Sequence, residues 1–305
     1  MKQEEFVDYK GEKIPIVLDG LDLSCSNIED LGDVKGLSDC VNLVSLDLSG
    51  NPLKEIKGLE NLQKLRSVWA MGCRLTHTGG FEDLVNLREL KLLNNNITEI
   101  KGLEKLNKLE VLDFGNNKIV EIKGLDGLKN LFVLKFGDSH LQSKNLIKGI
   151  QGLEHLEGLN YLDLSYNHIE EIKGLDNLRN LESLILNFNN ITEIKGLDQL
   201  HNLKSLDLIG NRIEAIEGLE NLKNLSLLFL DENLITGVKN IADLESLNTI
   251  TLRNNPLKTL GELLDVKLTA LMELNLQNTN VPKNEIVKMR KMYQQMRSFG
   301  IRLHT

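Results

Sequence analysis

Apolar residues recur along this chain with a fixed cadence. Leu87-Arg88-Glu89-Leu90-Lys91-Leu92-Leu93-Asn94-Asn95-Asn96-Ile97 reads L-x-x-L-x-L-x-x-N-x-I, and the same eleven-residue pattern returns from Leu109, Leu159, Leu181, Leu203, Leu225 and Leu247. Looser copies start at Leu18, Leu43, Leu65, Leu131 and Leu271, which makes twelve, most of them 22 residues apart. A fixed period of this length is the mark of a stacked repeat. Within each copy the L-x-L core alternates with period two, which predicts a short strand with one face buried. The second half, as in residues 55–62 (Glu-Ile-Lys-Gly-Leu-Glu-Asn-Leu), carries an aliphatic residue every three positions. That is too short for an α-helix and predicts a 3₁₀ or single turn.

Place nine of the pattern is Asn in eight copies: Asn51, Asn95, Asn117, Asn167, Asn189, Asn211, Asn233 and Asn255. An amide both donates and accepts, so stacked copies are expected to form a ladder that satisfies turn backbone groups. Cys73 and Ser139 stand in this place in the copies at Leu65 and Leu131. Place eleven is aliphatic throughout. A solenoid needs its terminal apolar faces covered. Residues 6–9 and 13–16 flank Lys10-Gly11-Glu12 and predict a hairpin over the first repeat. Asn284 is expected to cap a helix over 285–297, with Ile286, Met289, Met292, Tyr293 and Met296 on one stripe, and 300–303 reads as a last strand. The expected organisation is one structural domain: a cap over 1–17, repeats over 18–281, and a second cap over 282–305.

These residues resemble the leucine-rich repeat family in its 22-residue subclass, which internalins share. The resemblance is similar in repeat length and number to the leucine-rich-repeat regulatory subunit of protein phosphatase 1. It implies an α/β fold: a right-handed solenoid or horseshoe with a parallel β-sheet on the concave face and short 3₁₀ or turn segments on the convex face. It also implies function on the concave sheet and a phosphatase catalytic subunit as the named candidate partner.

Composition narrows the picture. The formal charge is -8 with a pI near 5.4, so the chain does not bring the cations that direct nucleic-acid binding requires. No apolar run approaches the length of a membrane span. The polar start Met1-Lys2-Gln3-Glu4-Glu5 and three scattered cysteines (Cys25, Cys40, Cys73) point to a cytoplasmic chain with free thiols. The expected chain is a monomer by itself.

If the leucines at places one, four and six are buried, places three, five, seven and eight face outward. Those columns hold ten acidic residues and three basic ones (Lys91, Lys135, Arg253), so most of the negative charge sits there. Such a face steers basic partners and repels phosphate backbones. Large apolar residues cluster in the same columns: Trp69, Met71 and Leu93 in one group, and Tyr161, Tyr166, Ile185, Phe188, Ile209, Leu227 and Phe229 in another. An apolar patch rimmed by Asp163, Asp207 and Asp231 has the make-up of a protein-binding hot spot. On that reading Phe188→Glu removes binding and leaves stability nearly unchanged.

Two copies are irregular. The one at Leu131 is longer, with residues 142–147 near the extra length, and the one at Leu65 replaces the usual turn with Thr76-His77-Thr78-Gly79-Gly80, expected as a local loop. The lysines of the Glu-Ile-Lys-Gly turns alternate with glutamates and are expected to cancel. The histidines show no metal-ligand spacing, and no phosphate-binding loop or nucleophile motif is present. Asp22 and Asp47 adjoin, a sparse offer to Ca²⁺. No cofactor, metal or catalytic residue is expected. The chain reads as a non-enzymatic scaffold for a folded protein. The alternatives are an extracellular adhesion or receptor-type repeat protein, or a protein-holding subunit of an RNA particle.

Overall fold

The structure is a computed structural model and describes residues 5–137, 145–265, 269–296 and 302–304, with side chains as far as 292 in the C-terminal helix. The chain forms two compact units, residues 1–147 with 155–159, and residues 148–154 with 160–305. Each is a parallel-strand solenoid.

The first unit opens with a hairpin, β1 (Phe6–Tyr9) and β2 (Glu12–Pro15), paired antiparallel with Val7 opposite Ile14. Val7 and Tyr9 are buried, and the Tyr9 hydroxyl donates to the Asn27 carbonyl at 2.9 Å. Apolar side chains on one face and a turn at Lys10-Gly11, both with positive φ, account for the cap. Behind it run β3 (Gly20–Asp22), β4 (Ser45–Asp47), β5 (Ser67–Trp69), β6 (Glu89–Lys91), β7 (Val111–Asp113) and β8 (Val133–Lys135), all parallel.

The second unit stacks β9 (Tyr161–Asp163), β10 (Ser183–Ile185), β11 (Ser205–Asp207), β12 (Leu227–Phe229), β13 (Thr249–Thr251) and β14 (Glu273–Asn275) in the same way. It ends with α1 (Lys283–Met296) and β15 (Arg302–His304), which pairs parallel with β14. Helix α1 starts two residues before the expected boundary. Asn284 therefore lies inside its first turn, and the Pro282 carbonyl accepts from the Glu285 and Ile286 N–H groups. Met289 is buried and Ile286 half-buried. The side chains of Tyr293 and Met296, and residues 300 and 301, lie outside the described residues.

The strands are three residues long because only places three to five run straight before the chain turns. Their central residues are buried completely or nearly so, as are the leucines at places one and six from Leu43 onward, whereas Leu18, expected at place one of the first copy, is exposed. Each buried leucine contributes about 1.5–3 kcal/mol relative to exposure. On the opposite side three 3₁₀ turns form, at Leu31–Asp33, Leu37–Asp39 and Gly261–Leu264. Elsewhere the turn closes through single bonds such as Leu62 N–H to Leu59 O and Leu65 N–H to Leu62 O. The copy at Leu65 keeps this register and makes no loop. Thr78 takes the place of the usual isoleucine, buried with its hydroxyl on the Lys101 backbone at 2.6 and 2.7 Å, and Phe81 fills the leucine place.

The ladder of place-nine amides is present and regular. Asn189 Oδ1 accepts from Ile169 N–H at 3.0 Å, and its Nδ2 donates to the carbonyls of Leu164 in the preceding copy and Leu186 in its own, both at 3.0 Å. Asn51, Asn117, Asn211, Asn233 and Asn255 donate to the two place-six carbonyls in the same way. At Cys73 a thiol substitutes, donating to Leu48 O at 3.3 Å, and burial pushes it up from its ordinary pKa.

In the longer copy the ladder residue is Asn145. Its Oδ1 accepts from Ile119 N–H at 2.8 Å, and its Nδ2 donates to Phe114 O and Phe136 O at 2.9 and 2.8 Å. Ile147, fully buried, takes place eleven. The extra residues therefore fall between Phe136 and Asn145, earlier than expected, and Asn145 holds the ladder place expected at Ser139. Residues 138–144 lie outside the described residues.

Candidate functional site

Parallel pairing in register lays each outward column of the second unit into a row. Place five reads Asp163, Ile185, Asp207, Phe229, Thr251, Asn275, each the Cα partner of the next. Place three reads Tyr161, Ser183, Ser205, Leu227, Thr249, Glu273. Neighbouring strands lie about 4.8 Å apart, so acids and large apolar groups alternate at that spacing.

The apolar members are less exposed than the sequence suggests. Tyr161, Tyr166, Ile185, Phe188, Ile209, Leu227 and Phe229 are all half-buried, and Asp163 is only 9% exposed. Tyr166 and Phe188 stack, with ring centroids 4.5 Å apart at 27°. Phe188 also leans over Gly210: a Cβ on that glycine would lie 2.6 Å from Phe188 Cδ1.

Place eight of the repeat is held in the left-handed region. Gly50, Gly72, Asn94, Asn116, Gly210, Asn254 and Asn278 all have positive φ there, the residue types that accept it at low cost. Cys25 (φ 52°), Tyr166 (52°), Phe188 (53°) and Glu232 (58°) adopt it too. For bulky side chains this backbone costs of order 1–3 kcal/mol and marks functional positions. The periodic reading placed these residues in the outward columns and did not reveal the strain.

The acids are held by backbone. Asp163 Oδ1 accepts from Ser165 N–H at 2.9 Å, Asp207 Oδ1 from Ile209 N–H at 3.0 Å, and Asp231 Oδ1 from Arg253 N–H at 2.7 Å. Burial, and to a lesser degree the like charges of Asp163 and Asp231, push Asp207 up to about 6, against the opposing Ile209 hydrogen bond. Burial also raises Asp231, opposed by its bond from Arg253. Neither Asp207 nor Asp231 has a lysine, arginine or histidine at ion-pair distance among the described residues.

Two further polar side chains, absent from the sequence-based candidates, sit in this row at place seven. Asn187 donates from Nδ2 to Asp207 Oδ2 at 3.3 Å, while its Oδ1 is buried without a hydrogen-bond partner. The Ser165 hydroxyl is buried and likewise unpartnered.

The other candidate group belongs to the first unit. Trp69 is half-buried between Asp47 and Lys91, its register partners, with Lys91 Nζ 5.9 Å from the ring centroid. Its indole N–H is buried without a partner. It borders a cleft of about 340 Å³ that Asp22, Ser45, Asp47, Ile14 and Pro15 also line. Met71 and Leu93, at place seven, are half-buried. Asp22 and Asp47 are register partners but each spends an oxygen on a nearby N–H, of Ser24 and Ser49. No group of three metal-ligating side chains forms among the described residues. Along the turns, lysines and glutamates pair as expected, for example Lys57 with Glu55 at 2.7 Å and Lys195 with Glu171 and Glu193 at 3.0 and 3.1 Å.

Among known proteins, a family model described as Leucine Rich repeats (2 copies) matches residues 85–131 and 179–221, and a Leucine Rich Repeat model matches 42–65. No curated protein matches the chain. Solved structures do. The internalin InlF of Listeria monocytogenes is 24% identical, with a TM-score of 0.70 over 92% of this chain and 88% of that one. InlJ of the same organism gives 22% and 0.72, over 92% of this chain and 59% of that one. A chain from a complex of Latrophilin 3, Unc5D and FLRT2 gives 19% and 0.66, over 95% and 86%. No helix among the described residues is long and apolar enough to cross a membrane. No catalytic family is indicated. With the ladder traced through successive copies, the matched stretches are leucine-rich repeats of about 22 residues.

Proposed function

We propose that the chain is a protein-interaction scaffold whose outward strand face in the second unit docks a folded, basic-surfaced protein partner. The observation that carries this reading is the placement of Tyr166 and Phe188 in a left-handed backbone place that most of the other described copies fill with Gly or Asn. A strained aromatic pair beside a buried acid row is costly for the fold alone, and its placement suits a partner surface that covers the rings. The finer reading, a phosphatase catalytic subunit as partner, draws on the repeat length and number of the sequence. Three unpaired cysteines favour a reducing, cytoplasmic setting. A second reading, an adhesion or receptor-type repeat protein, draws on the likeness to the internalins and to the Latrophilin 3–Unc5D–FLRT2 complex. Glycosylation at Asn96 would favour it.

The test is affinity capture from native cytosol with wild type and Phe188→Asn as baits. Asn is the residue that other copies accept at this place, so this substitution relieves the backbone as it removes the ring. A stoichiometric protein lost only with the variant supports the reading, and a phosphatase among such proteins supports the finer one. Identical captures by both baits overturn it.

A further inference from the structure

On the second unit's strand face, three buried side-chain oxygens lack a hydrogen-bond partner, those of Ser165, Asn187 and Thr251. Asn187 is 8% exposed and Ser165 1% exposed, and both present an unpartnered oxygen, Oδ1 and Oγ. Asn187 is aimed at the row by its own bond to Asp207 Oδ2. The opposite amide orientation would set its oxygen against that carboxylate. Buried acceptors left unmade cost about 1–3 kcal/mol each, and no cation of the chain pairs with Asp207 or Asp231 at ion-pair distance among the described residues. The backbone N–H groups of Ser165, Ile209 and Arg253 already hold one oxygen of each acid in place, so the row is built before any ligand arrives. Ile185 and Phe229, half-buried, flank Asp207 on both sides in the place-five row.

We propose that Asp163, Ser165, Asn187 and Asp207 form a socket for the guanidinium of an arginine side chain carried by the protein partner. A guanidinium has five N–H donors and no acceptor, which suits the carboxylate, amide and hydroxyl oxygens gathered here. It is planar and weakly hydrated, and it stacks on aromatic faces, which suits a slot walled by Phe229 and Ile185. An ammonium is compact and strongly hydrated, and leaves those walls unused. The high position of Asp207 on the pH scale fits a carboxylate that no cation among the described residues compensates. The socket rests on the docking reading above and names the chemistry of the group received.

The probe is N-acetyl-arginine methylamide, titrated into the full ¹⁵N-labelled chain. N-acetyl-lysine methylamide and sodium chloride at equal ionic strength serve as controls. The expected result is a saturable shift of the Asn187 side-chain amide and of the Ser165, Ile209 and Arg253 backbone amides with the arginine derivative alone. Asp207→Asn should weaken it about tenfold or more, because the bond to a charged acceptor is lost. Ser165→Ala, which removes only the unpartnered hydroxyl, should weaken it several-fold and serves if the first variant fails to fold. Equal shifts with the lysine derivative or with salt, or unchanged binding by both variants, overturn the socket. Capture of a partner without an arginine response overturns the socket and leaves the docking face standing. An arginine response without any captured partner supports the socket and counts against the docking reading.

Discussion

Replacing Asp207 by Asn should stabilise the protein at neutral pH, and the gain should depend on pH. Asp207 sits between Ile185 and Phe229, with Asp163 and Asp231 near it and no cation paired to it. Its pKa moves from the ordinary 3.8 to about 6. Between those values the folded state binds more protons than the unfolded one, so stability falls as pH rises through that window. Above about 6 the ionised carboxylate carries its full penalty. Two units at about 1.4 kcal/mol each make this about 3 kcal/mol. The amide keeps an acceptor for Ile209 N–H but gives up the charge on that bond, which returns about 1 kcal/mol. Its new N–H₂ can donate to Asn187 Oδ1 once the Asn187 amide turns over. The net expectation at pH 7.5 is a gain of about 1–3 kcal/mol, shrinking to nothing or reversing near pH 4. Urea unfolding followed by circular dichroism, at intervals from pH 4 to 8 for both proteins, measures it. A variant less stable at pH 7.5, or equally improved at every pH, would refute the reasoning, because burial of a charge would not then be the cause.

Asn189→Ala removes the acceptor for Ile169 N–H and the donor to two buried carbonyls, so thermal unfolding should show a loss of about 1–3 kcal/mol or more. Asn145→Ala should cost about as much, and a silent result in the same melt would mean that the ladder does not pass through the longer copy. Phe188→Asn should change stability by less than about 1 kcal/mol, since relief of the left-handed backbone offsets the lost stack on Tyr166. Phe188→Glu keeps that backbone strain while losing the stack, so it should melt measurably lower, which differs from the expectation drawn from sequence. Gly210→Ala adds a Cβ 2.6 Å from the Phe188 ring at φ 67° and should displace that ring, seen as a changed near-ultraviolet aromatic signal.

The repeat made the strands legible, because burial of one leucine stripe leaves little choice of period or face. The ladder was legible for the same reason: a short amide in an otherwise apolar cadence has one economical use. Where spacing slipped, the reading slipped with it. Counting nine places from Leu131 arrives at Ser139, whereas the chain resumes its ladder at Asn145, since hydrogen bonding follows the amide and ignores the count. The columns expected to face outward hold half-buried side chains and some buried ones, Ser165 and Asn187 among them, and two properties of the site were invisible in them. Left-handed backbone at Tyr166 and Phe188 emerges from comparing φ across copies. The unpartnered oxygens of Asn187 and Ser165 emerge only once neighbouring strands are laid side by side. Ser and Asn are unremarkable residues in a polar column, so no signal in the sequence singled them out.

The amide ladder also says where this architecture tolerates growth. Each Asn grips the chain at three points: the place-six carbonyls of two copies and the place-eleven N–H of the one before. The bond from each Asn to its own place-six carbonyl closes over places seven and eight, and the longer copy still makes it, with its extra residues between Phe136 and Asn145. Insertions at this point keep the amide ladder joined, whereas one extra residue between places nine and eleven would unhook an amide from the next turn. Segments grafted between places six and nine should therefore be carried beside the strand face as added binding elements, while whole copies can be gained or lost only in complete units.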